Sequence, residues 1–263
     1  MERFMKIQRL STCSFKFYSS QGKVVMVDPW LTNDPLWPIA ERTPEKLKEI
    51  DVIAVTHAHF DHASGIDEIV EQNNKVFIIA QYEYAISLLG RGIKNVIPMG
   101  IGATVEFQGM KFSQVSAAHT NSQTLSDGKM EVVGTSVGYV IEFENNIKVY
   151  VSGDTGLTAD MKFVVGDFFK PDISILPTTG AFVMEPEQAA YAANVTGCRY
   201  VIPCHDFPRT ISEAANPEAY AEFVKQFPVL DSYKKIDKFI EIVKQQHPQI
   251  TSVYIPIGDT ATI

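Results

Sequence analysis

The stretch "THAHFDHASG", Thr56 to Gly65, constrains this chain more than any other. It sets His57, His59, Asp61 and His62 into six positions directly after the apolar run "DVIAV", in a chain with only 6 histidines. Residues spaced by two in an extended segment project to one side, so His57, His59 and Asp61 come together, with His62 beside them. Imidazole and carboxylate suit divalent zinc, manganese or iron. Catalytic zinc commonly takes three protein ligands and keeps one position open. Four ligands from one loop therefore point to two metals.

Such a site needs further ligands, and the remaining sequence supplies candidates. His119 ends "MKFSQVSAAH", His205 ends "RYVIPCH" and Asp154 ends "IKVYVSGD". Each is a polar residue at the C-terminal end of an apolar strand, and such ends converge on one cleft along a sheet edge. Taken singly, a strand-end His is an ordinary surface residue and Asp154 a turn aspartate. The HxHxDH pattern raises them together, with Asp154 as a carboxylate bridging two cations. His247, before Pro248, reads as a cation at a helix C-terminus and stands outside the set.

The pattern around these residues predicts a layered α/β fold. "FMKIQRL", "CSFKFYS" and "KVVMVD" read as strands, and "DVIAVT" as a strand buried on both faces. "GIDEIVEQN" has helical spacing, which places the histidines in a strand-to-helix loop. "KVFIIA" is a further strand, and "EYAISLLG" a helix closed by Gly90. Hairpins turn at Gln108-Gly109 and Asn145-Asn146. Then "DISILP" and "RYVIP" alternate with the helix "EPEQAAYAANV", followed by the helices "PEAYAEFVKQF" and "KIDKFIEIVKQ". The tail ends in the strand-like "SVYIPIG". Two mixed sheets packed together with helices outside, in one domain spanning 1–263, account for this order.

Composition narrows the partners. The net charge is −8, and basic residues occur at most in pairs such as Lys234-Lys235, so nucleic-acid binding is disfavoured. No run approaches a membrane span and the N-terminus lacks an apolar leader core. Three cysteines, Cys13, Cys198 and Cys204, without CxxC spacing, point to a reducing compartment, the cytoplasm. Cys204 reads as a small buried residue on the strand face opposite its ligand neighbour. The expected partner is a small molecule, and self-association is left open.

HAHFDH followed by His119, Asp154 and His205 resembles the full ligand series of the metallo-β-lactamase superfamily. "GYVIEF", "YVSGDTGLTADM" and "ILPTTGAFVMEPEQAA" make the chain similar to the bacterial metal-dependent hydrolases related to ascorbate-phosphate lactonases. The resemblance implies an αββα sandwich. It implies His57, His59 and His119 on one metal, with Asp61, His62 and His205 on the other and Asp154 bridging. Two positions depart from the branch. Thr12 in "LSTCSF" stands about where relatives carry a His, and Asp206 where they carry an aromatic residue.

Two divalent cations about 3.5–4 Å apart share a hydroxide near neutral pH. Against them stand Asp61, Asp154 and that hydroxide, which leaves a net positive site suited to an anionic substrate or a developing oxyanion. The expected activity is therefore hydrolysis of a lactone, ester or phosphoester, with zinc as the first choice of metal and manganese or iron as alternatives. Asp28 is a candidate to orient a ligand histidine, or a plain turn residue before Pro29. Trp30 and Trp37 wall the cleft or pack outside it. "TNSQTLSDGKMEVVGT" is a candidate lid. Thr178, Thr179 and Gly180 are candidate hydroxyl and backbone donors, and Arg209 a candidate anion contact. An iron redox enzyme on the same fold or a non-catalytic metal-binding module are the alternatives. The tail after His205 is too short for a flavin domain, and no ligand is missing.

Overall fold

A computed structural model describes residues 4–227 and 232–263. The first sheet contains β1 (Lys6–Arg9), β2 (Phe15–Tyr18), β3 (Val24–Val27), β4 (Val52–Ala54), β5 (Phe77–Gln81) and β6 (Val96–Met99). The second contains β7 (Thr104–Phe107) and β8 (Met110–Ser116). The chain then makes a separate two-stranded ribbon, β9 (Ser122–Thr124) with β10 (Met130–Val132). It returns to the second sheet as β11 (Val137–Glu142), β12 (Lys148–Val151), β13 (Ile173–Pro177), β14 (Tyr200–Cys204) and β15 (Thr251–Ser252). The last strand, β16 (Thr260–Thr262), crosses back to pair with β1. Strand orders are β16-β1-β2-β3-β4-β5-β6 and β15-β14-β13-β12-β11-β8-β7. Each sheet is antiparallel at one end and parallel at the other.

Alternation along the strands explains the layers. Val25 and Val27 of β3, with Val52 and Ala54 of β4, face Tyr139, Ile141, Val149 and Ile175 of the opposite sheet in one buried cluster. Met26 and Ile53 point the other way, onto α1 (Pro44–Lys48), α3 (Ile66–Gln72) and α4 (Tyr82–Gly90) through Leu47, Ile69 and Leu88. On the far side Val140, Tyr150 and Val201 meet the π-helix Met161–Phe169, α5 (Pro186–Thr196) and α7 (Tyr233–Gln246). This is the expected four-layer αββα sandwich. The hairpins turn where predicted, with φ of 50° at Gln108, 79° at Gly109 and 62° at Asn146.

Several local expectations change. The helix from Tyr82 continues through Gly90 and is capped by Arg91, while Gly92 takes the left-handed conformation. "SVYIPIG" forms little sheet, because it runs along Arg9 and Asp206 instead of extending an edge. The proposed lid is the β9–β10 ribbon rather than an irregular loop. Helix α6 (Pro217–Gln226) follows the expected pattern, capped by the Asn216 side chain. Among the described residues, no helix is long and apolar enough to cross a membrane.

The topology also gathers the strand ends. β12, β13 and β14 are parallel, and β8 runs with them because β11 is antiparallel to both β8 and β12. His119, Asp154 and His205 therefore leave one edge of the second sheet, while Asp28 and His57 leave the parallel pair β3–β4 of the first. The sandwich brings those edges together.

Candidate metal centre

The motif is not extended throughout. His57 and His59 follow β4, and His59, with φ −61° and ψ 151°, caps the short helix α2 (Phe60–Ala63). Asp61 and His62 therefore sit on a helical turn, which swings them away from the His57–His59 line. Gly65 closes the motif because backbone packs against it. A Cβ there would lie 2.7 Å from Leu31 Cβ and 2.8 Å from Pro29 O.

Three imidazoles form the first group. His57 Nε2 lies 3.1 Å from His59 Nδ1, and His119 Nε2 lies 3.3 Å from the same atom. Three nitrogens about 2.0–2.1 Å from one tetrahedral zinc stand about 3.3–3.4 Å apart, so this spacing fits a shared cation. Burial holds His57 well below the ordinary histidine range, and lowers His59 and His119 as well. Neutral imidazole is the form that binds a metal.

The second group adjoins it through Asp154. Its Oδ2 lies 3.0 Å from His205 Nε2 and 3.8 Å from His119 Nε2, while its Oδ1 lies 3.4 Å from His62 Nε2. Asp61 Oδ2 is 3.7 Å from His62 Nε2 and 3.8 Å from His205 Nε2. His62 Nε2 and Asp154 Oδ1 are buried without a hydrogen-bond partner. Two such atoms aimed at one another are expected where a cation completes them. Burial opposes charge on His205, yet Asp154 outweighs it and holds the imidazole up at about 9. His62 is likewise raised, against burial, by Asp154, Asp61 and Asp28. Burial opposes charge on Asp154 too, yet His205 and His62 outweigh it and hold the carboxyl well below its ordinary range.

Orienting contacts come from neighbouring strands. Asp28, at φ 51°, accepts from the Thr56 amide at 2.7 Å and the Thr56 hydroxyl at 2.6 Å, and its Oδ2 lies 2.9 Å from His62 Nδ1. That contact makes Nδ1 the protonated nitrogen of a neutral His62 and turns Nε2 toward Asp154. Asp28 thus takes the orienting role rather than that of a plain turn residue. Thr56 Oγ1 also lies 3.0 Å from His57 Nδ1, and Gly153, at φ 60°, packs against that threonine. Thr179 Oγ1 lies 3.2 Å from His205 Nδ1.

Other expectations are corrected. The Gly180 amide is occupied by Met184 O at 3.0 Å, because the chain turns back on itself there. Thr178 is buried, its hydroxyl without a partner. Arg209 is exposed and pairs with Asp237 at 2.9 Å, beside the Tyr233 ring, so its charge is spent on the surface. Trp30 and Trp37 are 1% and 0% exposed and pack inside. The aromatic left beside the site is Phe60, 50% exposed, edge-on to Trp30 with ring centroids 5.7 Å apart. Phe60 and Ala58 also line a cavity of about 650 Å³ whose far wall is the β9–β10 ribbon. His247 ends α7, outside these groups.

Three contributors lay outside the sequence reading. Asn121 accepts from the Ala58 amide at 2.8 Å and so fixes the backbone between His57 and His59. Cys13 approaches the second group. Arg9, fully buried, is the third. It donates to Thr12 O at 2.9 Å, Ser11 O at 2.9 Å, Ile255 O at 3.2 Å and Asp206 Oδ1 at 2.6 Å. Tyr254 closes the network on Asp206 Oδ2 at 2.8 Å. Thr12 O also accepts the His205 amide at 3.0 Å, so Thr12 and Asp206 share one buried arginine beside His205. An arginine inside the strand-like run "KIQRL" was the available signal.

Comparisons with known proteins give the family. Residues 23–205 match the family model described as the β-lactamase superfamily domain. A UPF0173 metal-dependent hydrolase of Methanosphaera stadtmanae is 39% identical over 202 residues, 76% of this chain and 83% of that protein. One from Rubrobacter xylanophilus is 34% identical over 203 residues, 76% of this chain and 81% of that protein. Among solved structures, Igni18, a metallo hydrolase from Ignicoccus hospitalis, shares the fold with a TM-score of 0.78. It is 23% identical and 99% of each chain is covered. The matched segment opens just before β3 and closes on His205, so it contains every ligand candidate named above, and the chain belongs to the β-lactamase superfamily, among its UPF0173 metal-dependent hydrolases.

Proposed function

We propose that the chain is a binuclear hydrolase of a small molecule, attacking a lactone or ester carbonyl or a phosphoester. One observation carries this reading. Asp154 spans two ligand groups, with Oδ2 3.8 Å from His119 and Oδ1 3.4 Å from His62. His57, His59 and His119 would hold one ion, Asp61, His62 and His205 the other, and Asp154 both. Divalent metals bound there supply a water acidified to near neutrality and a Lewis acid for the oxygen under attack. Asp28 and Thr56 keep His62 and His57 in register, and Thr179 does so for His205. Asp61, the more exposed carboxylate of the pair, would take the proton of the attacking water. Phe60 offers an apolar wall to the substrate. A net charge of −8 supports a small-molecule substrate over nucleic acid.

The histidines provide their own control. Metal content and turnover on a panel of lactones, esters and phosphodiesters are measured for six His→Ala variants and Asp154→Ala. We expect about two ions per wild-type chain. His57→Ala and His119→Ala should lose one ion, His62→Ala and His205→Ala the other, and Asp154→Ala should disturb both. His247→Ala should behave as wild type. Full metal and activity in His205→Ala, or less than about one ion in the wild type after metal-replete refolding, overturns the reading.

A further inference from the structure

A thiol lies inside the second ligand group. Cys13 Sγ and the ligand atoms of His62, Asp154 and His205 all lie within 4.8 Å of one another, and all four residues are buried. Cys13 stands in the turn between β1 and β2, so it comes from a strand pair that contributes no other ligand. Two atoms of the same group, His62 Nε2 and Asp154 Oδ1, are buried without hydrogen-bond partners. Behind Cys13 stands Cys204, whose sulfur is 3.6 Å away, with both thiols free. Cys198 is elsewhere, under α5, against Ala193 O.

We propose that Cys13 is a thiolate ligand of the second metal position, joining Asp61, His62, His205 and Asp154. This rests on the binuclear reading above. Coordination deprotonates a thiol outright, and its proton leaves to solvent. The Cys204 S–H then has an acceptor at the Cys13 sulfur and acts as its hydrogen-bond donor. A soft ligand at this position selects zinc, iron or cobalt over manganese, a choice that nitrogen and oxygen ligands alone leave open. It also cancels the surplus positive charge reckoned from the two aspartates and hydroxide, which favours a neutral carbonyl substrate over an anion.

Cobalt(II) tests this directly, because cobalt–thiolate bonds absorb in the near ultraviolet, whereas nitrogen and oxygen ligands leave only the weaker visible bands. The full chain is stripped with chelator and reloaded with cobalt. The expected result is a near-ultraviolet thiolate band that disappears in Cys13→Ser and persists in Cys204→Ser and Cys198→Ser. X-ray absorption of the zinc-loaded wild type needs no variant. It should show about half a sulfur neighbour per zinc at about 2.3 Å, one thiolate averaged over the two sites. Full cobalt loading with visible bands but no thiolate band overturns the ligand assignment and leaves the binuclear reading standing. A band abolished by Cys204→Ser and kept by Cys13→Ser also overturns it. Failure to bind cobalt at all removes both.

Discussion

Replacing Arg9 tests how the His205 turn is held. Its guanidinium is 0% exposed and pairs at 2.6 Å with Asp206, whose side chain is 2% exposed. Removing one partner of a buried ion pair leaves the other charge without compensation and costs about 3–5 kcal/mol. Arg9→Met should therefore lower unfolding free energy by about that amount, seen as a fall in the urea midpoint at unchanged slope. At roughly 2–4 °C per kcal/mol for a chain of this size, Tm should drop by roughly 6–20 °C. Asp206→Leu should cost a similar amount. The double variant Arg9→Met/Asp206→Leu should cost clearly less than the two together, because neither charge is then stranded. A local effect accompanies the global one. His205 sits at φ 70°, a conformation that costs a non-glycine residue roughly 1–2 kcal/mol. Its amide is held by Thr12 O, which Arg9 also binds. Folded Arg9→Met should accordingly lose metal from the His62–His205 position before the His57–His59–His119 position. A loss below about 1 kcal/mol for Arg9→Met, or strictly additive single variants, would show that the network carries no such load.

Two further predictions concern single positions. Burial pushes the Asp34 carboxyl up to about 7, against the bond it accepts from the Leu36 amide and the nearby Arg42 charge. The unfolded value is about 3.9, so the folded chain binds the extra proton between those limits. Wild-type stability should fall as pH rises across that window and level off above it. Asp34→Asn should remove this slope and gain up to roughly 2–4 kcal/mol over wild type by pH 8, read from urea titrations at pH 4.5 to 8. Parallel pH profiles for the two proteins would contradict it. Gly153→Ala places a Cβ 2.7 Å from Thr56 Cβ at a φ of 60°. It should cost about 2–4 kcal/mol and reduce metal content by displacing the threonine that holds Asp28 and His57. A variant with wild-type Tm and metal content would remove Thr56 from the orienting role.

The legible part of this chain is the part where chemistry and local pattern coincide. His57, His59, Asp61 and His62 announce themselves by residue type at close spacing. His119, Asp154 and His205 share one address, the polar residue at the end of an apolar strand. That address carries over to three dimensions because β8, β12 and β14 point the same way. Asp28 was legible for the same reason. The misread residues have addresses that tertiary structure overrides. Trp30 and Trp37 were expected to wall the cleft or pack outside it, but both are buried, and Trp30 fills a pocket with Phe207, Ala214 and Tyr220, far along the sequence. Arg209 follows a ligand closely, yet the chain turns at His205 and sends it to Asp237. Sequence proximity to a ligand is thus a weak guide once a left-handed residue intervenes.

Arg9 and Cys13 show the converse. Neither lies near a ligand candidate in sequence, and nothing in the local pattern around either points to the site. Their meaning arises only when the β1–β2 turn closes over the end of β14, where Thr12 O meets the His205 amide. That turn also carries Thr12, whose carbonyl Arg9 binds, while Asp206 answers Arg9 across it. A carboxylate at 206 without an arginine at 9 would be a buried charge with only Tyr254 and backbone to hold it, and the reverse change would strand the guanidinium. The two residues are therefore energetically one unit. The consequence for the site is specific: the position after the last ligand braces the His205 turn through a buried ion pair, and the thiol from the same β1–β2 turn faces the metal ligands.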